Sequence, residues 1–316
     1  MKKLYLAFLI ACVVSCEAQT GKLVKQIPTS LPVSCIQVSP NHALIAIGDD
    51  TEDPLGFKEL KESFKVTLIK ASDYSKVVEL VGHQESIESV DFSGDSRKLV
   101  SADKKGNIVI WDISTGKQIT KIETGEWVHD AKFSISGNEI IAIQGFDKIA
   151  IIYSLEGGLI ATLQVENQIN DFEVNQKTNE LYFGCYDEIQ IWSIVSRKKI
   201  KSRKFEGLMC MRFNHDYSQI AIGTREDIVI LDTELKEKKR LSGHFKPILS
   251  VSFSFDDTKI ASASSDQTAR IWDLGKASEI VQLINEHKGT VQAIEYVSPK
   301  NHFLTGGENK EVKIWK

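Results

Sequence analysis

Proline and methionine are scarce, at six and three residues in a chain of 316. That excludes a collagen-like repeat and a Met-rich binding groove. Cysteine is also sparse, five in all with no CxxC pair, so zinc and thiol-redox chemistry have no support. Charge of one sign is lacking: 39 basic against 43 acidic residues leave a formal charge of −4. A nucleic-acid binder needs a basic field, which is absent here. HExxH, GxSxG and Walker-type loops do not occur. What is present is 42% hydrophobic and 26% charged, the composition of a folded globular chain. At about 100–200 residues per domain this length allows two domains, although large all-β folds run longer as one.

The N-terminus opens Met1-Lys2-Lys3 and continues with an apolar or small run from Leu4 to Ser15. A charged start and an apolar stretch match an export leader. Twelve residues fall short of the ~20 that span a membrane as a helix. Val13-Val14-Ser15-Cys16 resembles the bacterial lipobox, in which Cys16 becomes the lipid-modified mature N-terminus. Residues 1–15 are then the signal peptide. Leu9-Ile10-Ala11-Cys12 fits the same pattern but would leave a very short apolar run. Cleavage after Ala18 with plain secretion is the rival. Lipid anchoring at Cys16 implies an envelope protein of the periplasm or outer membrane, held by its acyl chains alone. Losing Lys2 and Lys3 with the leader moves the charge from −4 to −6. Cys35, Cys185 and Cys210 remain, an odd and widely spaced set expected as buried free thiols.

A repeat organises residues 21–316. Asn107-Ile108-Val109-Ile110-Trp111-Asp112, Ala269-Arg270-Ile271-Trp272-Asp273 and Val312-Lys313-Ile314-Trp315 are its clearest copies. Weaker copies place anchors at Ile69, Tyr153, Trp192 and Leu231. Seven anchors thus recur with gaps of 42, 42, 39, 39, 41 and 43 residues. Each copy holds four short β-rich runs split by turns. In the sixth these are Ile248–Phe253, Lys259–Ala263, Ala269–Asp273 and Glu279–Leu283. Four such runs predict one antiparallel sheet per copy. A lone sheet leaves an apolar face wet, so the copies must stack, and radial stacking covers both faces of each. The seventh copy ends after its third strand, while an unpaired run, Lys22–Ile27, precedes the first copy. Pairing the two closes a ring and removes free edges.

These residues resemble the WD-repeat family of β-propellers over nearly the whole mature chain. The marks are Gly82-His83, Gly243-His244 and Glu286-His287 before first strands, and Trp-Asp pairs at 111–112 and 272–273. The resemblance implies an all-β, seven-bladed ring of four-stranded blades. It also implies a structural tetrad of loop His, strand Ser or Thr, turn Asp and Trp. The sixth copy matches with His244, Ser262, Asp266 and Trp272. The second has His83, Ser101 and Trp111, but Lys105 at the aspartate place; the seventh has His287, Thr305 and Trp315, with Asn309 there. Copies three to five lack the Gly-His, which puts these hydrogen bonds in doubt for the middle blades.

On this reading the chain is a monomeric, non-enzymatic platform for protein partners, with no cofactor, no metal, no catalytic set and no nucleic acid. The first copy carries an insertion over residues 49–63 between its second and third strands, on the face of the Gly-His turns. Glu52, Phe57 and Leu60 in it are candidate partner contacts, with Trp127 and Phe245 on the same face. The rival is an exported lactonase-like hydrolase or small-ligand binder at the channel mouth. Glu88, Asp91, Asp130, Asp171 and Glu173 lie on first strands but read as scattered over consecutive blades. Lysine and arginine clusters around residues 197–204 and 236–240 fall on outer strands, where charge blocks edge pairing. A binding belt for anionic partners is the alternative there.

Overall fold

The computed structural model describes residues 21–51, 63–145, 148–276, 278–283, 287–297 and 300–316. Its strands form seven separate four-stranded sheets, each antiparallel and each sequential except one. Blade 1 shows the plan. Its inner strand Val33–Val38 pairs with Leu44–Asp49, then Phe64–Lys70, then the outer strand Lys76–His83. The seven inner strands run Val33–Val38, Ile87–Phe92, Val128–Phe133, Ile169–Asn175, Cys210–Phe213, Ile248–Phe253 and Val291–Val297. The exception is blade 7, whose outer strand is the N-terminal Leu23–Pro28, paired with Glu311–Trp315. Gln26 faces Lys313 and Ile27 faces Val312, so the ring closes as the sequence predicts.

Radial stacking explains the hydrophobic pattern. Second and third strands have a blade on each side, so Ile108, Val109, Ile110 and Trp111 in succession are all buried. Outer strands face solvent on one side and read mostly polar, as in Lys198–Lys204. The core is a set of clusters between neighbouring blades. Phe64, Val66 and Leu68 of blade 1 pack on Phe92, Leu99, Val109 and Trp111 of blade 2. Val312, Ile314 and Leu304 of blade 7 pack on Val33, Ile36 and Ile45 of blade 1, so the seam is packed as well as hydrogen-bonded.

Two β-bulges recur at fixed repeat positions. One lies between third and outer strands, where Ile69, Trp111, Tyr153, Trp192, Leu231 and Trp272 sit. The anchor position is therefore also where each blade gains extra twist. The other follows the first residue of the inner strand, leaving Ser34, Glu88, His129, Asn170, Leu249 and Gln292 outside the ladder of their sheets. Turns between inner and second strands place His42, Ser96, Tyr217, Asp257 and Asn301 at φ of 52–58°.

Candidate functional site

The upper face carries the second-to-third turns and the blade-to-blade connections. In blade 2, Ser101 Oγ accepts from Trp111 Nε1 at 2.8 Å and lies 2.6 Å from His83 Nε2. His83 Nδ1 is 2.7 Å from Asp103 Oδ2. The sequence reading expected the aspartate at position 105 and found lysine. Asp103, two residues earlier on the strand, fills the role because its carboxylate also takes the Asn107 amide and so folds the turn around itself. Lys105 Nζ bonds Gln84 at the surface. Blade 6 joins His244 Nδ1 to Asp266 Oδ2 at 2.7 Å, Nε2 to Ser262 Oγ at 2.8 Å, and Trp272 Nε1 to the same oxygen at 2.9 Å. Blade 7 repeats the chain through Asn309 Oδ1, Thr305 Oγ1 and Trp315 Nε1, at 3.2, 2.7 and 2.9 Å.

These chains are buried, and their titration follows from it. Burial raises the Asp266 carboxyl, but bonds from His244 and Thr268 outweigh it and hold it below the usual range. His287 faces an amide instead of a carboxylate, and burial pulls its pKa down to about 4. Blade 4 has no Gly-His, yet Trp192 Nε1 donates to buried Gln190 Oε1 at 2.9 Å. The doubt over the middle blades is thus lifted in blade 4 by a glutamine inside its own strand. A polar residue two before a Trp anchor was the available signal.

The expected partner contacts separate. Glu52, Phe57 and Leu60 lie outside the described residues. The insertion's base is described: Asp50 Oδ2 accepts from Gln292 Nε2 of blade 7 at 3.0 Å, and the Thr51 amide donates to Ser86 Oγ of blade 2 at 3.0 Å. Asp50 and Thr51 thus tie blade 1 to blades 7 and 2. Trp127 is half-buried and stacks on His129 at 5.3 Å. Phe245 is 63% exposed at the entry to blade 6, three blades from Trp127. Some of the bases on the outer strands are matched by acids: Lys199 with Glu166, Lys201 with Glu234, and Arg240 with Asp227 and Glu237. Charge of this kind on an outer strand blocks edge pairing.

The channel holds what sequence reasoning missed. Gln37, Asp91, Lys132, Glu173, Arg212, Ser252 and Glu295 occupy one repeat position, one per inner strand, and all line a lower cavity of about 310 Å³. Three of the acids read as scattered, Asp130, Asp171 and Glu173, converge instead on Lys132. Its ammonium lies 2.8 Å from Asp130, 3.4 Å from Glu173 and 3.8 Å from Asp171, and donates to the Phe172 carbonyl. Burial pulls this lysine down, but the three carboxylates outweigh it and hold its pKa above the ordinary value. Arg212 lies 3.6 Å from Glu173, 3.8 Å from Glu295 and 3.2 Å from Gln37 Oε1. Carboxylates also tie blade to blade: Asp91 accepts the Phe133 amide at 2.9 Å and Asp171 the Met211 amide at 2.7 Å. Burial pushes Asp91 and Glu295 up to about 7 and Asp171 up to about 6. From Asp91 onward a spacing of 39–43 residues was the signal for this ring, the insertion lengthening the first gap.

Above it, Glu88 and His129 line a second cavity of about 190 Å³. Lys104 lies 3.4 Å from Glu88 there. At the lower mouth, Phe255 meets His42 at 5.3 Å and His215 at 5.5 Å between ring centres, both edge-on. Hydrogen bonding to Asp257 raises the His215 pKa despite burial. Among the described residues no group of three His, Cys, Asp or Glu comes together in a way that could hold a metal ion.

Residues 74–112, 235–273 and 278–316 match the family described as WD domain, G-beta repeat. Curated relatives include a guanine nucleotide-binding protein subunit beta of Nicotiana tabacum, 24% identical over 239 residues and 75% of this chain. The corresponding subunit of Arabidopsis thaliana is 24% identical over 246 residues. A 66 kDa stress protein of Physarum polycephalum is 21% identical over 246 residues. The chain spans 57% of the length of the first two and 40% of the third. The β-propeller domain of Cps50 (Swd1) from Myceliophteria thermophila superposes with a TM-score of 0.81 at 16% identity, over 93% of this chain and 99% of that one. At that identity the likeness speaks for the fold alone. Three stretches of this ring thus match the WD domain, G-beta repeat by sequence, and the whole is a seven-bladed β-propeller.

Proposed function

We propose that this chain is a non-enzymatic scaffold for protein partners, exported through its N-terminal leader and held at the cell envelope by a lipid on Cys16. The observation that carries the scaffold reading is the upper face. Buried His–Asp and His–Ser bonds fix its turns in blades 2 and 6, while Phe245 and the root of the insertion stand beside them. A rigid platform with exposed aromatic side chains loses little conformational freedom when a partner docks. The relatives that share its repeats include guanine nucleotide-binding protein beta subunits, which supports a binding role by analogy of fold. The export reading rests on Met1 to Cys16; among the described residues no helix is long and apolar enough to cross a membrane.

Affinity capture from native envelopes tests the scaffold. The full chain is compared with Phe245→Ala and with a variant lacking residues 52–62. Loss of the same captured protein from both variants supports the upper face. Equal capture by all three overturns it. Acyl labelling that persists in Cys16→Ala overturns the anchor.

A further inference from the structure

We infer that the lower cavity is a binding site for a compact organic cation, an alkylammonium or guanidinium group. The site is separate from the upper face and holds whether or not that face docks a protein.

The first argument is charge. Three carboxylates line the lower cavity, Asp91, Glu173 and Glu295, against two cations, Lys132 and Arg212, while Asp130 and Asp171 line the cavity above it. Lys132 is taken up by Asp130, Asp171 and Glu173. Arg212 is shared among Glu173, Glu295 and Gln37. Asp91 accepts only the Phe133 amide among the described hydrogen bonds, and Glu295 Oε2 is buried with no hydrogen bond, Arg212 Nη2 standing 3.8 Å away and Arg212 Nε likewise unbonded. At 3.8 Å the Arg212 pair is too long to be a hydrogen bond, and a positively charged donor in the cavity would supply the missing one.

The second argument is shape. A volume of about 310 Å³ lies at the small end of ligand sites, suited to a few to a dozen heavy atoms. A second hollow of about 260 Å³ adjoins it, sharing His42, His215 and Tyr296. Phe255, 59% exposed, stands at its rim between the two histidines. An aromatic rim over an acidic floor suits an organic cation, which gains from ring faces as well as from carboxylates. A bare metal ion would need three converging ligands, which the described residues do not supply. An anion would compete with carboxylates already holding both cations.

Occupancy is coupled to protons. Glu295 is faced by Arg212 and His215 of blade 5, Ser252 of blade 6 and Glu173 of blade 4. Asp91 is faced by Lys132 and Asp130 of blade 3 and Glu173 of blade 4. With titration near pH 7, a cation binds better to the ionised acids. One controlling group gives about ten-fold tighter binding at pH 8 than at pH 6.

Calorimetry on the purified full chain tests this with agmatine, Nα-acetyl-arginine amide and the neutral isostere Nα-acetyl-citrulline amide. Both cations are expected to bind, with citrulline at least ten-fold weaker. Agmatine alone binding points to a free amine as the natural occupant; equal binding of the arginine amide points to a basic side chain of a partner. Glu295→Gln should weaken binding at least ten-fold, and Phe255→Ala, which removes an exposed ring, about three-fold or more. No heat from either cation at about 10 mM overturns the proposal, as does equal affinity for citrulline. Unchanged binding by a folded Glu295→Gln overturns it too; should that variant not fold, unchanged binding by Phe255→Ala does so.

Discussion

Arg212 of blade 5 reaches across the channel to Gln37 of blade 1, its Nη1 3.2 Å from the amide oxygen. The side chain spans two blades because the intervening position of blade 6 is Ser252, small and buried. On its way it passes Glu173 and Glu295. Arg212→Met therefore strands Glu295, while Glu173 keeps Lys132. Breaking a buried pair costs about 3–5 kcal/mol, and the guanidinium is partly solvated, so a loss of about 2–3 kcal/mol is expected at pH 8. At pH 5.5 the loss should be smaller, because Glu295 is then protonated. Urea denaturation at the two pH values measures the difference.

Asp91 and Glu295 carry the reverse sign from most acids. Their folded pKa of about 7 lies above unfolded values near 4. Between about pH 4.5 and 7 the folded state holds more protons, so their contribution to stability grows as pH falls and vanishes above pH 7. His287, at about 4 when folded, opposes this over part of the range. A variant carrying Asp91→Asn and Glu295→Gln isolates the acids. Wild-type stability minus that of the variant should fall as pH rises from 4.5 to 7 and stay flat to pH 9. A difference that is flat throughout contradicts the assignment.

Asp103, not position 105, completes the hydrogen-bond chain of blade 2. Asp103→Ala leaves His83 and the Asn107 amide without their acceptor in a buried site, an expected loss of about 2–3 kcal/mol. Lys105→Asp, which restores the residue the repeat pattern expects, should change stability by no more than about 0.5 kcal/mol. Equal effects from both would place the bond at the wrong residue.

Ring closure rests on Leu23–Pro28. Deleting residues 22–27 exposes the third strand of blade 7 along its whole edge. Several kcal/mol should be lost, and at about 2–4 °C per kcal/mol the melting temperature should drop by 10 °C or more. An unchanged transition by circular dichroism would show that the ring closes without this strand.

The strand pattern was legible to within a residue or two. In blade 6 the second strand runs to Ser264 rather than Ala263, and the outer strand begins at Ser278 rather than Glu279. Alternation, turn residues and a 41-residue period are local, so they survive in one dimension. The missing aspartate of blade 2 was misread for a geometric reason. A carboxylate two residues earlier reaches the same histidine once the turn at Gly106, with φ of +92°, folds back. Gly106 is required there, since a Cβ would collide with the Glu126 backbone.

The sequence alone determined how many blades there are, which strand closes the ring and which turns share a face. Each follows from hydrogen-bonding period and chain order, which neighbouring residues set among themselves. Only the tertiary structure decided what the channel is made of. Asp171 and Glu173 meet Lys132, and Arg212 meets Gln37, because the ring turns residues some 40 or 175 positions apart into neighbours. Charge at such positions looks like ordinary surface until closure removes the water around it. Burial then converts scattered acids into a coupled, proton-sensitive site.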